Sequence, residues 1–354
     1  MGKIIFRKNI VDMAGYVPGE QINAAEIIKL NTNENPYPAS KAVVDAIIET
    51  AMRGLQKYPS AMADAFREKA AEVLDVSPDW ILCGNGSDDI LTICTRALVG
   101  PGELLRLPYP SYILYKTLAE LQGARSEEVR FEPDWSLGEA FSAPADGLRL
   151  AFLPNPNSPT GTTISRERIL EIADRLPCPL LVDEAYADFA EFNCMDLVRE
   201  NEKIIVSRTF SKSYSLAGLR FGYLVAQPHL IEQFSKVKDS YNCDSLAIAG
   251  ATAAIADREW QAENRSKIIA TRTRLTAAMR GLGFDVIDSQ ANFTWNTHPS
   301  IELRPIYEYL KERYILVRYM NYAEWGDGLR ISVGTDEQTD RCVATIEEYL
   351  KTLG

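Results

Sequence analysis

Histidine and paired cysteines are scarce in this chain of 354 residues. Its two histidines, His229 and His298, lie far apart in sequence, so a site with three or more histidine ligands is impossible and no metal is expected. The six cysteines form no C-x-x-C pair, and we expect free thiols in a reducing cytoplasm. No apolar run is long enough to span a membrane.

Basic residues are outnumbered as well, with 38 Lys and Arg against 49 Asp and Glu and a net charge of −11. This balance argues against a nucleic acid or an anionic membrane surface as a partner. It is compatible with a small anionic substrate, because a few arginines can set the field inside a cleft. The amino-terminal residues contain no signal-peptide pattern, so a cytoplasmic enzyme is the expectation.

The middle of the chain alternates short apolar runs with helical patterns. Residues 148–153, 180–183 and 203–207 are predicted to be buried strands, and 61–74 and 88–98 are predicted helices. Strands that alternate with helices indicate an α/β fold with a mostly parallel central sheet flanked by helices.

The carboxyl-terminal third has a different pattern. Residues 284–295 alternate like a half-buried strand, and 228–279 is predicted to be a long helical stretch that joins two domains. We therefore expect a large domain over residues 45–255. A smaller α+β domain is expected to combine residues 1–44 with 256–354.

Lys212 has the most informative neighbourhood in the sequence. Hydroxyl side chains lie on both sides of it, and Arg220 follows eight positions later. Upstream, Asp183 ends an apolar run and Tyr186 follows it by three positions. A lysine that binds pyridoxal 5′-phosphate (PLP) needs a carboxylate for the ring nitrogen, a hydrogen bond to the ring oxygen and donors for the phosphate. Taken singly, Lys212 could be a surface lysine and Asp183 a helix cap; taken together they favour a PLP site.

These motifs resemble the fold-type I PLP-dependent aminotransferases. The resemblance implies three catalytic residues: Lys212 carries the cofactor, Asp183 supports its ring nitrogen, and Tyr186 reaches its ring oxygen. Tyr112 is implied to stack on the ring. The residues implied for the phosphate are Gly86, Ser87, Asp88, Thr209, Ser211 and Arg220. Tyr58 resembles the family tyrosine that reaches the phosphate of the neighbouring subunit, so a homodimer with shared active sites is expected.

The turn at 84–89 is a weak signal by itself. It follows a predicted strand and opens a predicted helix, and a helix N-terminus can bind an anion. Many such turns are only connections. The turn also lacks the third glycine of a dinucleotide fingerprint, which disfavours a nucleotide-dependent dehydrogenase.

The loop at 155–161 supplies amides that could reach the ring oxygen of the cofactor. Many relatives in the resembled family carry asparagine directly before Pro-Thr-Gly, whereas this chain has Ser158 there. Asn157 is therefore the residue predicted to contact the ring.

The ends of the chain narrow the resemblance. Residues 15–19, 30–38 and 316–318 are similar to those of histidinol-phosphate aminotransferases. The implied reaction exchanges an amino group between glutamate and imidazole-acetol phosphate, giving 2-oxoglutarate and histidinol phosphate. One substrate carries a phosphate and the other a second carboxylate, which guanidinium groups can bind. The residues implied for substrate binding are Arg330, Arg318, Tyr16 and Asn35. Without the family, Arg330 or Arg318 could equally form a structural ion pair.

Other activities on the same scaffold stay open at this point. An aromatic aminotransferase or a threonine-phosphate decarboxylase would share the same motifs, since loop side chains set specificity. A non-enzymatic protein of this fold, recruited as a regulator, is a further alternative. Such proteins often lose the lysine or the aspartate, and this chain retains both Lys212 and Asp183.

Overall fold

The structure, a computed structural model, describes residues 5–15, 19–20 and 26–353. Its α-helices are α1 (Lys8–Asp12), α2 (Lys41–Arg53), α3 (Asp64–Leu74), α4 (Ser87–Leu98), α5 (Leu114–Gln122), α6 (Arg166–Arg175), α7 (Leu197–Glu200), α8 (Pro228–Ser235), α9 (Ser245–Ala256), α10 (Arg258–Gly281), α11 (Leu303–Glu312) and α12 (Asp336–Lys351). Its strands are β1 (Ile28–Lys29), β2 (Ile81–Gly84), β3 (Leu104–Tyr109), β4 (Arg125–Arg130), β5 (Leu148–Pro154), β6 (Leu180–Asp183), β7 (Ile204–Thr209), β8 (Gly222–Val225), β9 (Asp285–Val286), β10 (Phe293–Thr297), β11 (Ile315–Leu316), β12 (Arg318–Tyr322) and β13 (Gly326–Ser332).

Seven strands form the central sheet, in the order β2-β8-β7-β6-β5-β3-β4. Strands β3 to β7 run parallel, and β8 runs antiparallel to both of its neighbours. Strands β2, β6 and β8 are buried along their whole length, because helices cover both faces of such a sheet. The predicted α/β fold with a mostly parallel sheet is confirmed.

The direction of the strand order changes between β3 and β5. From β3 the chain continues outward to β4, whereas from β5 it continues to the other side through β6 and β7. In open α/β sheets the carboxyl ends of strands beside such a reversal form a crevice that binds ligands. The carboxyl ends here carry Tyr109, Pro154 and Asp183.

A second, antiparallel sheet has the order β12-β13-β10-β9, and helices α10, α11 and α12 cover it around a separate apolar core. Strand β1 pairs in parallel with β11, so the segment that follows residue 26 packs with the carboxyl-terminal third of the chain. We propose the two domains expected from the sequence on this basis. Helix α2 packs against α9, which supports a boundary close to Lys41.

Two sequence expectations need correction in detail. Residues 228–279 lie in three helices, with a non-helical segment at 236–244 before α9, which the side chain of Asp244 caps. Residues 284–295 contain the whole of β9 and the first three residues of β10, rather than a single strand. Within the described ranges, no helix is both long and apolar enough to cross a membrane.

Candidate active site

A cavity of about 380 Å³ opens at the carboxyl ends of the central strands. This volume lies in the range of small-molecule sites. The predicted site residues that line it are Ser87, Asp88, Tyr112, Asp183, Tyr186, Thr209, Ser211, Lys212, Arg220, Arg318 and Arg330. The fold therefore brings together residues that are more than 240 positions apart in sequence.

Lys212 lies in a turn just after β7, and its side chain faces the cavity. Its ammonium Nζ donates to the carbonyl of Thr32 at 3.0 Å and lies 5.8 Å from the ring centre of Tyr186. Burial, with the nearby positive charge of Arg330, lowers the pKa of Lys212 to about 8. A substantial fraction of this amine is therefore neutral, and nucleophilic, near physiological pH.

Asp183 is the last residue of β6 and is buried at the wall of the cavity. The hydroxyl of Tyr115 donates to Oδ2 at 2.7 Å, and the hydroxyl of Ser207 donates to Oδ1 at 3.1 Å. Burial raises the pKa of Asp183 to about 6, and the two hydroxyl donors oppose that rise. The carboxylate is thus ionised at neutral pH and available to a cationic ring nitrogen. Asp183 also caps no helix, because the next helical turn begins at Ala187.

An anion cradle lies at the start of α4. Gly86 precedes the helix with φ +85°, and a Cβ at this position would lie 2.6 Å from Nη2 of Arg220. The guanidinium of Arg220 donates to Ser211 Oγ at 3.2 Å and to Asp88 Oδ2 at 3.3 Å. Free N–H groups at a helix N-terminus, an arginine and the hydroxyl of Ser87 together suit a phosphate. Gly86 itself allows the arginine to approach and does not line the cavity.

Two tyrosines stand over the cavity in fixed orientations. The hydroxyl of Tyr112 donates to Asp88 Oδ1 at 3.3 Å. Tyr186 accepts a hydrogen bond from Asn33 Nδ2 at 2.9 Å, and Asn33 Oδ1 accepts one from the hydroxyl of Ser332 at 3.0 Å. Sequence reasoning missed Asn33, whose φ of 56° is uncommon outside glycine and asparagine.

Arg318 and Arg330 face each other across β12 and β13, where their Cα atoms are register partners. Arg330 donates from Nη1 to Ser158 Oγ and from Nη2 to the carbonyl of Asn31, each at 2.9 Å. Both arginines line the cavity. Gly19 lies beside Arg318, since a Cβ there would lie 3.6 Å from Nη1. The two guanidinium groups make this side of the cavity strongly attractive to anions.

Asn157 does not line the cavity, although its neighbour Ser158 does. The amide nitrogen of Asn157 donates to the carbonyl of Pro110 at 3.2 Å and to Thr160 Oγ1 at 3.0 Å. Its buried Oδ1 has no hydrogen-bond partner among the described residues. The contact of Asn157 with the cofactor ring stays a prediction, and the geometry favours Ser158 as the side chain closer to a ligand.

Three other predicted residues lie elsewhere. Asn35 is beneath the lysine turn, where Nδ2 donates to the carbonyls of Lys212 and Ser213 at 3.1 and 3.2 Å. It therefore holds the turn and does not line the cavity. Tyr58 is on the surface, stacked on Tyr241 with ring centres 4.5 Å apart. Tyr16 lies outside the described residues.

Comparison with known proteins identifies the family. The model of the family "Aminotransferase class I and II" matches residues 25–346. The chain belongs to this family. Its members depend on PLP, which confirms the predicted cofactor and the predicted transaminase class.

Curated relatives agree over the whole chain. Histidinol-phosphate aminotransferase from Rhodopirellula baltica is 54% identical over 349 residues, covering 98% of this chain and 96% of the relative. The enzyme of the same name from a Geobacter species is 46% identical over 350 residues, covering 98% of each chain. The predicted resemblance to histidinol-phosphate aminotransferases is confirmed.

A solved structure supports the fold. Histidinol-phosphate aminotransferase from Sinorhizobium meliloti, solved in complex with pyridoxal-5′-phosphate, superposes with a TM-score of 0.87. It is 24% identical, and the match covers 99% of this chain and 98% of that one. At this identity the likeness is evidence for the fold only.

Proposed function

We propose that this enzyme transfers an amino group between glutamate and imidazole-acetol phosphate, yielding 2-oxoglutarate and histidinol phosphate in histidine biosynthesis. The observation that carries the substrate assignment is the pair Arg318 and Arg330, side by side on the wall that faces Lys212. The names of the relatives, up to 54% identical, support the same assignment.

The cavity fits PLP. Ser87, Ser211 and Arg220 would bind its phosphate at the start of α4, and Asp183 would pair with its ring nitrogen. Tyr112 would cover the ring and Tyr186 would reach its oxygen. Bound there, PLP supplies an electron sink for the bond that breaks at the substrate carbon.

Lys212 has two roles in this proposal. As a neutral amine it would hold the cofactor covalently, and as a free amine it would move the proton at the substrate carbon. Its pKa of about 8 suits both roles, because the amine both accepts and releases a proton near neutral pH. The hydrogen bond to the carbonyl of Thr32, together with Asn35 beneath the turn, keeps the amine directed into the cavity.

The arginine pair explains how one site could serve two different co-substrates. A phosphate monoester and a second carboxylate both carry oxygen anions that a guanidinium binds with two hydrogen bonds. Arg330 donates to Ser158 and to the carbonyl of Asn31, and these two hydrogen bonds fix its position whichever anion is present. Tyr16 would contribute from the segment that precedes Gly19, which itself lines the cavity.

A homodimer is part of the proposal. The outer face of α2 and the loop after it present Val44, Ile48, Met52, Leu55 and Tyr58 with 45–84% of their surface exposed. Val44, Ile48 and Met52 recur every four residues and so lie on one face of α2. Exposed apolar surface of this kind is typical of an interface, and a second copy of the chain would cover it. Tyr58 would then reach the neighbouring cavity. All six cysteines are free and buried, which suits the proposed cytoplasmic location.

The test is the visible absorbance of the purified, PLP-loaded protein after addition of histidinol phosphate without any keto acid. Conversion to the pyridoxamine spectrum, and its reversal by 2-oxoglutarate, is the expected result. Lys212→Ala is the control, because this variant has no amine to hold PLP covalently or to move the proton at the substrate carbon. A spectrum that ignores histidinol phosphate but responds to phenylalanine, or to threonine phosphate with release of carbon dioxide, would overturn the substrate assignment and leave the cofactor in place.

A further inference from the structure

Tyr115 connects two parts of the site that come from different elements. It lies on α5, is fully buried, and places its hydroxyl 2.7 Å from Oδ2 of Asp183 at the end of β6. Its ring packs edge-on against Tyr112, with ring centres 5.6 Å apart, and in a tilted arrangement against Phe152, with ring centres 4.8 Å apart. One side chain thus touches both the residue that would cover the cofactor ring and the residue that would pair with the ring nitrogen.

The hydroxyl of Tyr115 has a chemical reason to be there. The surrounding apolar cluster includes Leu91, Leu107 and Leu150, and a phenylalanine would fill the same space without a buried polar atom. Burying a hydroxyl in such a cluster is costly unless it forms a hydrogen bond. Its partner is a fully buried carboxylate, which needs donors to stay ionised. The hydroxyl of Tyr115 therefore stabilises the ionised carboxylate of Asp183 and is not needed for packing of the core.

Both side-chain donors to Asp183 are neutral. Tyr115 donates to one oxygen and Ser207 to the other, and the backbone N–H of Ala185 also donates to this carboxylate. None of these three groups neutralises the negative charge. An arginine or lysine in the place of Tyr115 would neutralise the acid. A hydroxyl orients it without cancelling its charge. Burial, with the negative charge of Asp183, raises the pKa of Tyr115 well above its usual value, so this hydroxyl keeps its proton and remains a donor.

We propose that Tyr115 is a positioning residue that keeps Asp183 ionised and oriented toward the ring nitrogen of bound PLP. This inference rests on the proposed placement of the cofactor. Tyr115 makes no step of the reaction itself; it acts through the carboxylate. Tyr112 packs against the ring of Tyr115. Tyr115 therefore also sets the distance between Tyr112, which would cover the cofactor ring, and Asp183, which would pair with the ring nitrogen.

The test is PLP binding to the cofactor-free form of Tyr115→Phe, followed by absorbance between pH 6 and pH 8.5. Loss of one hydrogen bond to a buried charge is expected to weaken PLP binding about tenfold at pH 8. Asp183 in this variant takes up a proton more readily. The fall in PLP affinity on acidification is therefore expected to begin at a higher pH than in the wild type, an effect that loosened packing alone would not produce.

Two further variants keep the result decisive. Ser207→Ala removes the donor to the other oxygen and is expected to shift the pH profile in the same direction, which tests the idea even if Tyr115→Phe folds poorly. Tyr223→Phe removes a hydroxyl from another buried tyrosine that does not line the cavity, and is expected to bind PLP like the wild type. Equal affinity and equal pH profiles in wild type and Tyr115→Phe would overturn the proposal. If the wild type itself bound no PLP, the cofactor placement would fail, and this inference with it.

Discussion

Arg318 and Arg330 lie directly opposite each other on neighbouring antiparallel strands, with both side chains on the wall of the cavity. Like charges directly opposite each other on neighbouring strands destabilise a sheet. An anion bound between the two guanidinium groups would offset this repulsion. We expect inorganic phosphate to raise the melting temperature of the cofactor-free protein, and Arg318→Gln to weaken that effect.

The same pair predicts a kinetic result. Arg318→Gln or Arg330→Gln removes part of the binding of the substrate anion, so KM for histidinol phosphate is expected to rise by about 10- to 100-fold. Arg304→Gln is the matched control, because this arginine is exposed on α11 and does not line the cavity. Steady-state kinetics with both co-substrates provides the measurement. An unchanged KM in both single variants would contradict an anion-binding role.

The protonation state of Lys212 is expected to determine how fast PLP attaches to the protein. The pKa of Lys212 is lowered to about 8, mainly by burial and secondly by the charge of Arg330. The amine is therefore mostly neutral only above this pH. The rate at which PLP joins the cofactor-free protein should rise about tenfold per pH unit below 8 and level off above it. Stopped-flow absorbance from pH 6.5 to pH 9.5 measures this.

Arg330→Gln sharpens that experiment. Removing the neighbouring positive charge favours protonated Lys212, so the midpoint of the rate profile should move to higher pH. Arg304→Gln should leave the midpoint where it is. A midpoint near 10 in the wild type would show that burial does not lower the pKa of this amine.

Substitutions at the adjacent residues Ser158 and Asn157 are expected to have different effects. Ser158→Ala removes the acceptor for Arg330 Nη1, so this arginine loses part of its fixed position and KM for the anionic substrate should rise several-fold. Ser158→Asn restores an acceptor at the same place and should recover part of the loss. Asn157→Ala removes a buried amide that holds Pro110 and Thr160, so it should lower the free energy of unfolding by about 1–3 kcal/mol with a smaller effect on KM. The opposite pattern would favour Asn157 as the ligand contact.

Sequence pattern alone indicated the place of Asp183. It ends a buried apolar run, and the carboxyl ends of parallel strands form the edge where ligands bind. Thr209 was expected at the site only through the family resemblance, because the predicted strand ended at 207, whereas β7 extends to Thr209. The choice between Asn157 and Ser158 was different. Both lie in an irregular loop, where no period of two or 3.6 tells which neighbour points inward.

Tertiary partners explain the other residues that sequence reasoning missed. Tyr115 lies in the first turn of α5 and Tyr112 in the loop before that helix, but the hydrogen-bond partner of Tyr115, Asp183, is 68 positions away. Asn33 reaches Tyr186 across 153 positions. Such pairs depend on how whole elements pack, and a single sequence carries no local signal for them.

The buried charge of Asp183 is expected to lower the stability of the cofactor-free protein. The pKa of Asp183 is raised from 3.8 to about 6, so between these values the folded chain holds a proton that the unfolded chain has lost. Stability therefore falls as the pH rises through this window. Above pH 6 the buried charge costs about 3 kcal/mol.

Asp183→Asn removes that charge and should raise the melting temperature of the cofactor-free protein by a few degrees at pH 8. The gain is smaller than the full cost, because an amide cannot accept from both Tyr115 and Ser207 as the carboxylate does. At pH 5 the gain should shrink, since the wild-type acid is then mostly protonated. Adding PLP should reverse the order at pH 8, because only the carboxylate pairs with a protonated ring nitrogen. Calorimetry of both proteins at pH 5 and pH 8, with and without PLP, measures these melting temperatures. A variant less stable than the wild type at pH 8 without PLP would show that the buried acid stabilises the fold.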